Sequence, residues 1–189
     1  MSVIDEMLQT NEKFCANLPE EYKAYEYEDH HDSKLPKKHL AIVTCMDTRL
    51  VNFLEPALGI KRGDAKVIKT VGNCLNGVFD TTVRSLLVCI YELGVKEVAV
   101  IGHHECGMAK TTSDSLTKAM LQNGVSLGAI KMVEKELVEW ADSFQKPEEN
   151  VKKVVEQLRD NPLIPKDVKI HALMFHPRSG KLELLDKQD

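Results

Sequence analysis

Leu40-Ala41-Ile42-Val43-Thr44-Cys45-Met46-Asp47-Thr48-Arg49 is the stretch that decides the fold. An uncharged, largely apolar run that stops at a cysteine and a short polar turn reads as a strand buried on both faces. The same pattern recurs at Val98-Ala99-Val100-Ile101, closed by Gly102-His103-His104-Glu105-Cys106-Gly107. Between the two lie a third apolar run at 66–71 and helical spacing over 50–58 and 78–93, with Gly59, Gly63, Gly72, Gly77, Gly94 and Gly102 at the joints. Strand and helix alternating in this way predict right-handed crossovers, a parallel sheet and helices on both of its faces.

Downstream, helices are expected near 115–121, 127–144 and 148–159, then a strand over 169–175. A turn at Pro177-Arg178-Ser179-Gly180 leads to 182–185, which reads as an antiparallel edge strand. Upstream, Val3, Ile4, Met7, Leu8, Phe14, Cys15 and Leu18 fall at near-helical spacing before Pro19. Residues 1–38 therefore read as an N-terminal helical arm and 39–189 as one α/β domain. Tyr22, Tyr25 and Tyr27 have a period near three and suit a packing face that docks on another subunit.

The second strand must lie beside the first, and the commonest short arrangement returns the chain to place the third on the other side. The expected sheet order is 2-1-3-4, with the antiparallel strand at the edge. Strands one and three are then neighbours, and the crevice at their carboxyl ends is where open α/β sheets bind ligands. Cys45 ends strand one and His103 ends strand three. Neighbouring strands stand about 4.8 Å apart, and zinc sits roughly 2.0 to 2.3 Å from its sulfur and nitrogen donors, so one ion can bridge them. Cys45, His103 and Cys106 supply three of four tetrahedral positions, which describes an open, catalytic zinc; a fourth protein ligand would make it structural.

Cys74 competes with water for that fourth position, and His104 competes with His103 for the third. A site with two thiolates and one imidazole acidifies bound water less than an all-histidine site, so a nearby carboxylate that orients the nucleophile is useful. Asp47 is placed for that role, and the planar fork of Arg49 can grip it bidentately. His30 and His31 have the right range for proton shuttling but read more simply as solvated. Cys15 and Cys89 read as small apolar residues.

The chain has 189 residues, 43% of them hydrophobic, and a formal net charge of -4. No basic patch suggests nucleic acid, and no G-x-G-x-x-G or Walker pattern suggests nucleotide. The first residues lack a signal-peptide pattern, and no apolar run approaches the roughly 18 residues of a membrane span. Five cysteines without an export signal point to a reducing compartment, the cytoplasm by default.

Cys45-Met46-Asp47-Thr48-Arg49 and Gly102-His103-His104-Glu105-Cys106-Gly107 resemble the C-x-D-[ST]-R and G-H-x-x-C-G signatures of the β-class carbonic anhydrases. The segment from Val83-Arg84-Ser85-Leu86-Leu87 through Val98-Ala99-Val100-Ile101 is similar too, and the likeness spans 39–186. The resemblance implies one zinc per chain on Cys45, His103 and Cys106, an Asp47–Arg49 catalytic dyad, and hydration of carbon dioxide to bicarbonate by zinc-bound hydroxide. It also implies a homodimer or larger homo-oligomer, and in some members an inactive state with the aspartate on the metal. Relatives that hydrolyse carbon disulfide or carbonyl sulfide leave that chemistry as an alternative, beside a non-catalytic zinc protein. One departure stands out: Lys69-Thr70-Val71-Gly72 replaces the family's R-N-A-G, losing a planar fork and an amide near the pocket.

Overall fold

A computed structural model describes residues 2–23, 34–144 and 146–189. The chain divides into two compact units, Met1–Lys34 and Leu35–Asp189. In the first, Ser2 caps helix α1 (Val3–Ala16) through a capping box with Asp5, and a single turn, α2 (Glu20–Lys23), follows. Val3, Ile4, Met7 and Leu8 are exposed along α1, and Phe14 meets Tyr22 edge to face with ring centroids 5.6 Å apart. Tyr25, Tyr27, His30 and His31 lie outside the described residues.

The second unit is built on five strands: β1 (Leu40–Cys45), β2 (Ala65–Thr70), β3 (Glu97–His103), β4 (Lys169–Phe175) and β5 (Leu182–Asp186). Their order is β2-β1-β3-β4-β5, parallel except for β5 at the edge, as the hydrophobic runs predict. All of β1 after Leu40 and all of β3 after Glu97 are buried, so both strands are covered on two sides.

Alternation of side chains separates the two cores. On one face Ala41, Val43, Val98 and Val100 pack with Val83 and Leu86 of α4 (Thr81–Tyr91) and with Val151, Val154 and Leu158 of α8 (Pro147–Arg159). On the other, Ile42, Ala99, Ile101 and Phe175 pack with Leu50, Ala141, Phe144 and Leu54 of the one-turn helix α3 (Leu54–Ala57). Two predicted helices are shorter than their apolar spacing suggests. In place of a continuous helix over 50–58, a 3-10 turn (Thr48–Leu50) is followed by α3, with Asn52 at φ 52° between them. Residues 127–144 break into α6 (Leu127–Lys131) and α7 (Glu134–Ala141), because Val133 leaves helical geometry at φ -122°, ψ 9°. Helix α5 (Ser113–Gln122) completes the set, capped by Thr112.

Gly102 fixes how closely α8 approaches β3. A Cβ there would overlap Cγ2 of Val151 and lie 3.0 Å from Sδ of Met174. Glycine at this position lets the helix lie directly on the strand that ends in His103.

Candidate metal centre

Cys45 closes β1, and the amide of Met46 donates to the Thr70 carbonyl at 2.8 Å, carrying the ladder with β2 one residue further. The chain then turns sharply: the Asp47 carboxylate caps the 3-10 turn by accepting from the Arg49 amide at 2.9 Å. His103 closes β3, Glu105 follows at a positive φ of 58°, and Cys106 leads into a second 3-10 turn (Gly107–Lys110).

These two strand ends bring Cys45, His103 and Cys106 together, with ligand atoms within 4.8 Å of one another and all three residues buried. The Cys45 and Cys106 sulfurs are 3.9 Å apart. Two thiolates on a tetrahedral ion with bonds of about 2.3 Å stand about 3.8 Å apart, so the sulfurs need almost no movement. His103 Nδ1 lies 2.9 Å from the His104 carbonyl, which can only accept. The proton therefore sits on Nδ1, and Nε2 presents a lone pair that is buried without a hydrogen-bond partner. Donor types, spacing and this orphaned nitrogen fit zinc. Without metal the contact with Cys106 lowers the Cys45 pKa, and the same contact pushes the Cys106 thiol up.

Asp47 stands beside the three donors. Arg49 Nε donates to Oδ1 at 2.9 Å and its terminal nitrogen to Oδ2 at 2.8 Å, the bidentate grip expected from the spacing. That guanidinium holds the Asp47 carboxyl down at about 2. Oδ2 lies 3.8 Å from His103 Nε2, at the edge of the donor set.

The competitors fall elsewhere. Cys74 is outside the group of mutually close donors; its thiol is directed at the Gly72 carbonyl and Asn150 Oδ1, and burial raises it to about 11. His104 Nδ1 faces Glu148 at 3.2 Å instead. Lys69, at the departure from R-N-A-G, pairs with Glu55 at 2.8 Å, and the hydroxyl of Thr70 is buried with no partner. Two residues without a role in the sequence reading join the site: Glu105 accepts from both Arg49 and Arg178. Glu105 sits between the two ligands of the H-x-x-C motif, which was the one available signal. A cavity of about 450 Å³ opens onto Cys45, Asp47 and Cys106 and is walled by Val71, Met108 and Trp140.

A family model described as carbonic anhydrase matches residues 40–182. The crystal structure of β-carbonic anhydrase isoform I from Trichomonas vaginalis superposes with a TM-score of 0.91 at 41% identity, covering 99% of each chain. Beta-carbonic anhydrase 1 of Mycobacterium tuberculosis is 32% identical over 78% of this chain and 82% of its own. The carbon disulfide hydrolase of Acidithiobacillus thiooxidans is 31% identical over 77% of this chain and 76% of its own. With the fold, the paired motifs and these matches in agreement, the chain belongs to the β-carbonic anhydrase family.

Proposed function

We propose that this protein catalyses the reversible hydration of carbon dioxide to bicarbonate, with one zinc ion held by Cys45, His103 and Cys106. The observation that carries the reading is the placement of Asp47, locked by Arg49 next to three converging donors and outside their set. A purely structural centre has no use for such a carboxylate. When bound, zinc supplies Lewis acidity that brings the pKa of a water toward neutrality.

The protein's own groups do the rest. His103 keeps its Nε2 lone pair free because the His104 carbonyl holds the Nδ1 proton. Asp47, ionised and able only to accept, takes the hydrogen bond of the attacking water and leaves its lone pair facing the substrate carbon. Arg49 fixes the carboxylate's orientation, and the proton released leaves to buffer. Val71, Met108, Leu116 and Trp140 line the cavity with apolar surface that suits a neutral, linear molecule.

That lining and the carbon disulfide hydrolase relatives support a second reading, hydrolysis of carbon disulfide with release of sulfide. Stopped-flow hydration, a sulfide-release assay and metal analysis on the parent and Asp47→Ala separate the two. Stoichiometric zinc, hydration, and a loss of about a hundredfold or more in the variant are expected; zinc with no hydration refutes the first reading.

The protein acts as a homodimer or larger homo-oligomer, supported by the exposed Val3, Ile4, Met7 and Leu8 on α1, with residues 1–38 as an arm and 39–189 as the catalytic domain. It works in the cytoplasm, supported by five free cysteines. No helix among the described residues is long and apolar enough to cross a membrane.

A further inference from the structure

We propose that Glu105 and Arg178 are positioning residues that hold Arg49, and through it Asp47, in its working orientation. The inference rests on the carbonic anhydrase reading. Arg49 is held on two sides. Its Nε and one terminal nitrogen bind Asp47, that same terminal nitrogen also donates to the Glu105 carbonyl at 2.9 Å, and the other reaches Glu105 Oε2 at 3.3 Å. Glu105 Oε2 in turn accepts from Arg178 at 3.0 Å.

Asp47 alone would leave the guanidinium free to swing with the carboxylate about the Arg49 side chain. Contacts on a second edge, to an element distant in sequence, remove that freedom. Glu105 can make both contacts because its left-handed backbone, φ 58°, presents its carbonyl and its carboxylate to Arg49. It lies between His103 and Cys106, so the loop carrying two metal donors is tied directly to the loop carrying the dyad. Arg178, from the turn between β4 and β5, keeps the Glu105 carboxylate from rotating into solvent; the Glu105 side chain is 48% exposed and needs that anchor. Glu105 acts on the dyad through Arg49, and Arg178 acts through Glu105.

The test is a double-mutant cycle of Glu105→Gln and Arg178→Met, with Asp114→Asn, which breaks an exposed ion pair on α5, as control. Exposed charged pairs are individually weak, so each single variant should lose about two- to fivefold in kcat for hydration, with KM unchanged and zinc retained. The double variant should be no worse than the poorer single, because both act through one contact. Arg178→Lys should recover part of the loss. Cobalt-loaded protein gives a readout independent of turnover: the visible spectrum should change in both single variants and not in the control, as Asp47 moves relative to the metal. Unchanged kcat and spectrum in both singles, or losses that multiply in the double, overturn the proposal. A parent that hydrates no carbon dioxide overturns the functional reading instead, and the cobalt spectra then decide the positioning alone.

Discussion

Adding one methyl group at Gly102 should strain the molecule where β3 meets α8. The new Cβ would overlap Val151 Cγ2 and sit 3.0 Å from Met174 Sδ and 3.7 Å from the Pro147 carbonyl. Met174 is unbranched and can move aside, but Val151 is β-branched, fully buried and stiff about χ1, so strand or helix backbone must shift. Overpacking of this kind costs about 1 to 3 kcal/mol. For a protein of this size that is a fall in Tm of about 2 to 12 °C. Differential scanning fluorimetry with chemical denaturation would measure it, and Val151→Ala supplies the decisive second arm. Alone it should destabilise by emptying space in the core; combined with Gly102→Ala it should relieve the overlap, with a coupling of about 0.5 to 3 kcal/mol. His103 is the next residue, so Gly102→Ala should also bind zinc more weakly, and the double variant should recover part of that. A Gly102→Ala protein melting with the parent, or losses that simply add, would refute the close approach as the reason for glycine.

Cys106→Ser should lose stoichiometric zinc while Cys74→Ser keeps it, by metal analysis after gel filtration; zinc loss from Cys74→Ser would restore the closed, structural centre. Asp142 accepts from the Ser113 amide and hydroxyl at 2.8 and 2.7 Å, which lowers its carboxyl pKa. Its contribution to stability is then complete above the ordinary aspartate range, about pH 4, and disappears as pH falls through the lowered value, so the Tm difference between parent and Asp142→Ala should close in acid; a difference that persists there argues against the tie. Thr112→Ala removes the hydroxyl that accepts from the Ser115 amide at 3.1 Å and should cost about 1 kcal/mol, read as a shift in denaturant midpoint at constant slope.

The sheet was legible because burial on both faces forces nearly unbroken apolar runs, and β1 and β3 have them. Cys45 and His103 were legible for a related reason: a residue closing such a run sits at the carboxyl edge, where crossovers open the crevice. Local helix limits were less so. Leu50, Phe53, Leu54 and Leu58 keep helical spacing, yet these residues fill the second core from a 3-10 turn and a single helical turn, since burial rewards position over continuity. Nothing in composition marks Val133 as a break, because neither glycine nor proline falls there. Glu105 and Arg178 are 73 residues apart, and their partnership depends on β5 folding back beside β4.

The contact between Cys45 and Cys106 spans 61 positions of chain, while His103 and Cys106 are close in sequence. The centre is thus a local two-donor clasp plus one remote donor, and only a finished β1–β3 pairing unites them. An ion seated there would staple two parallel strands as a cross-link does, closing a long loop that the unfolded chain must otherwise leave open. Metal occupancy would then report that the sheet has assembled, and a chelator would act as a denaturant of the same strands that carry the chemistry.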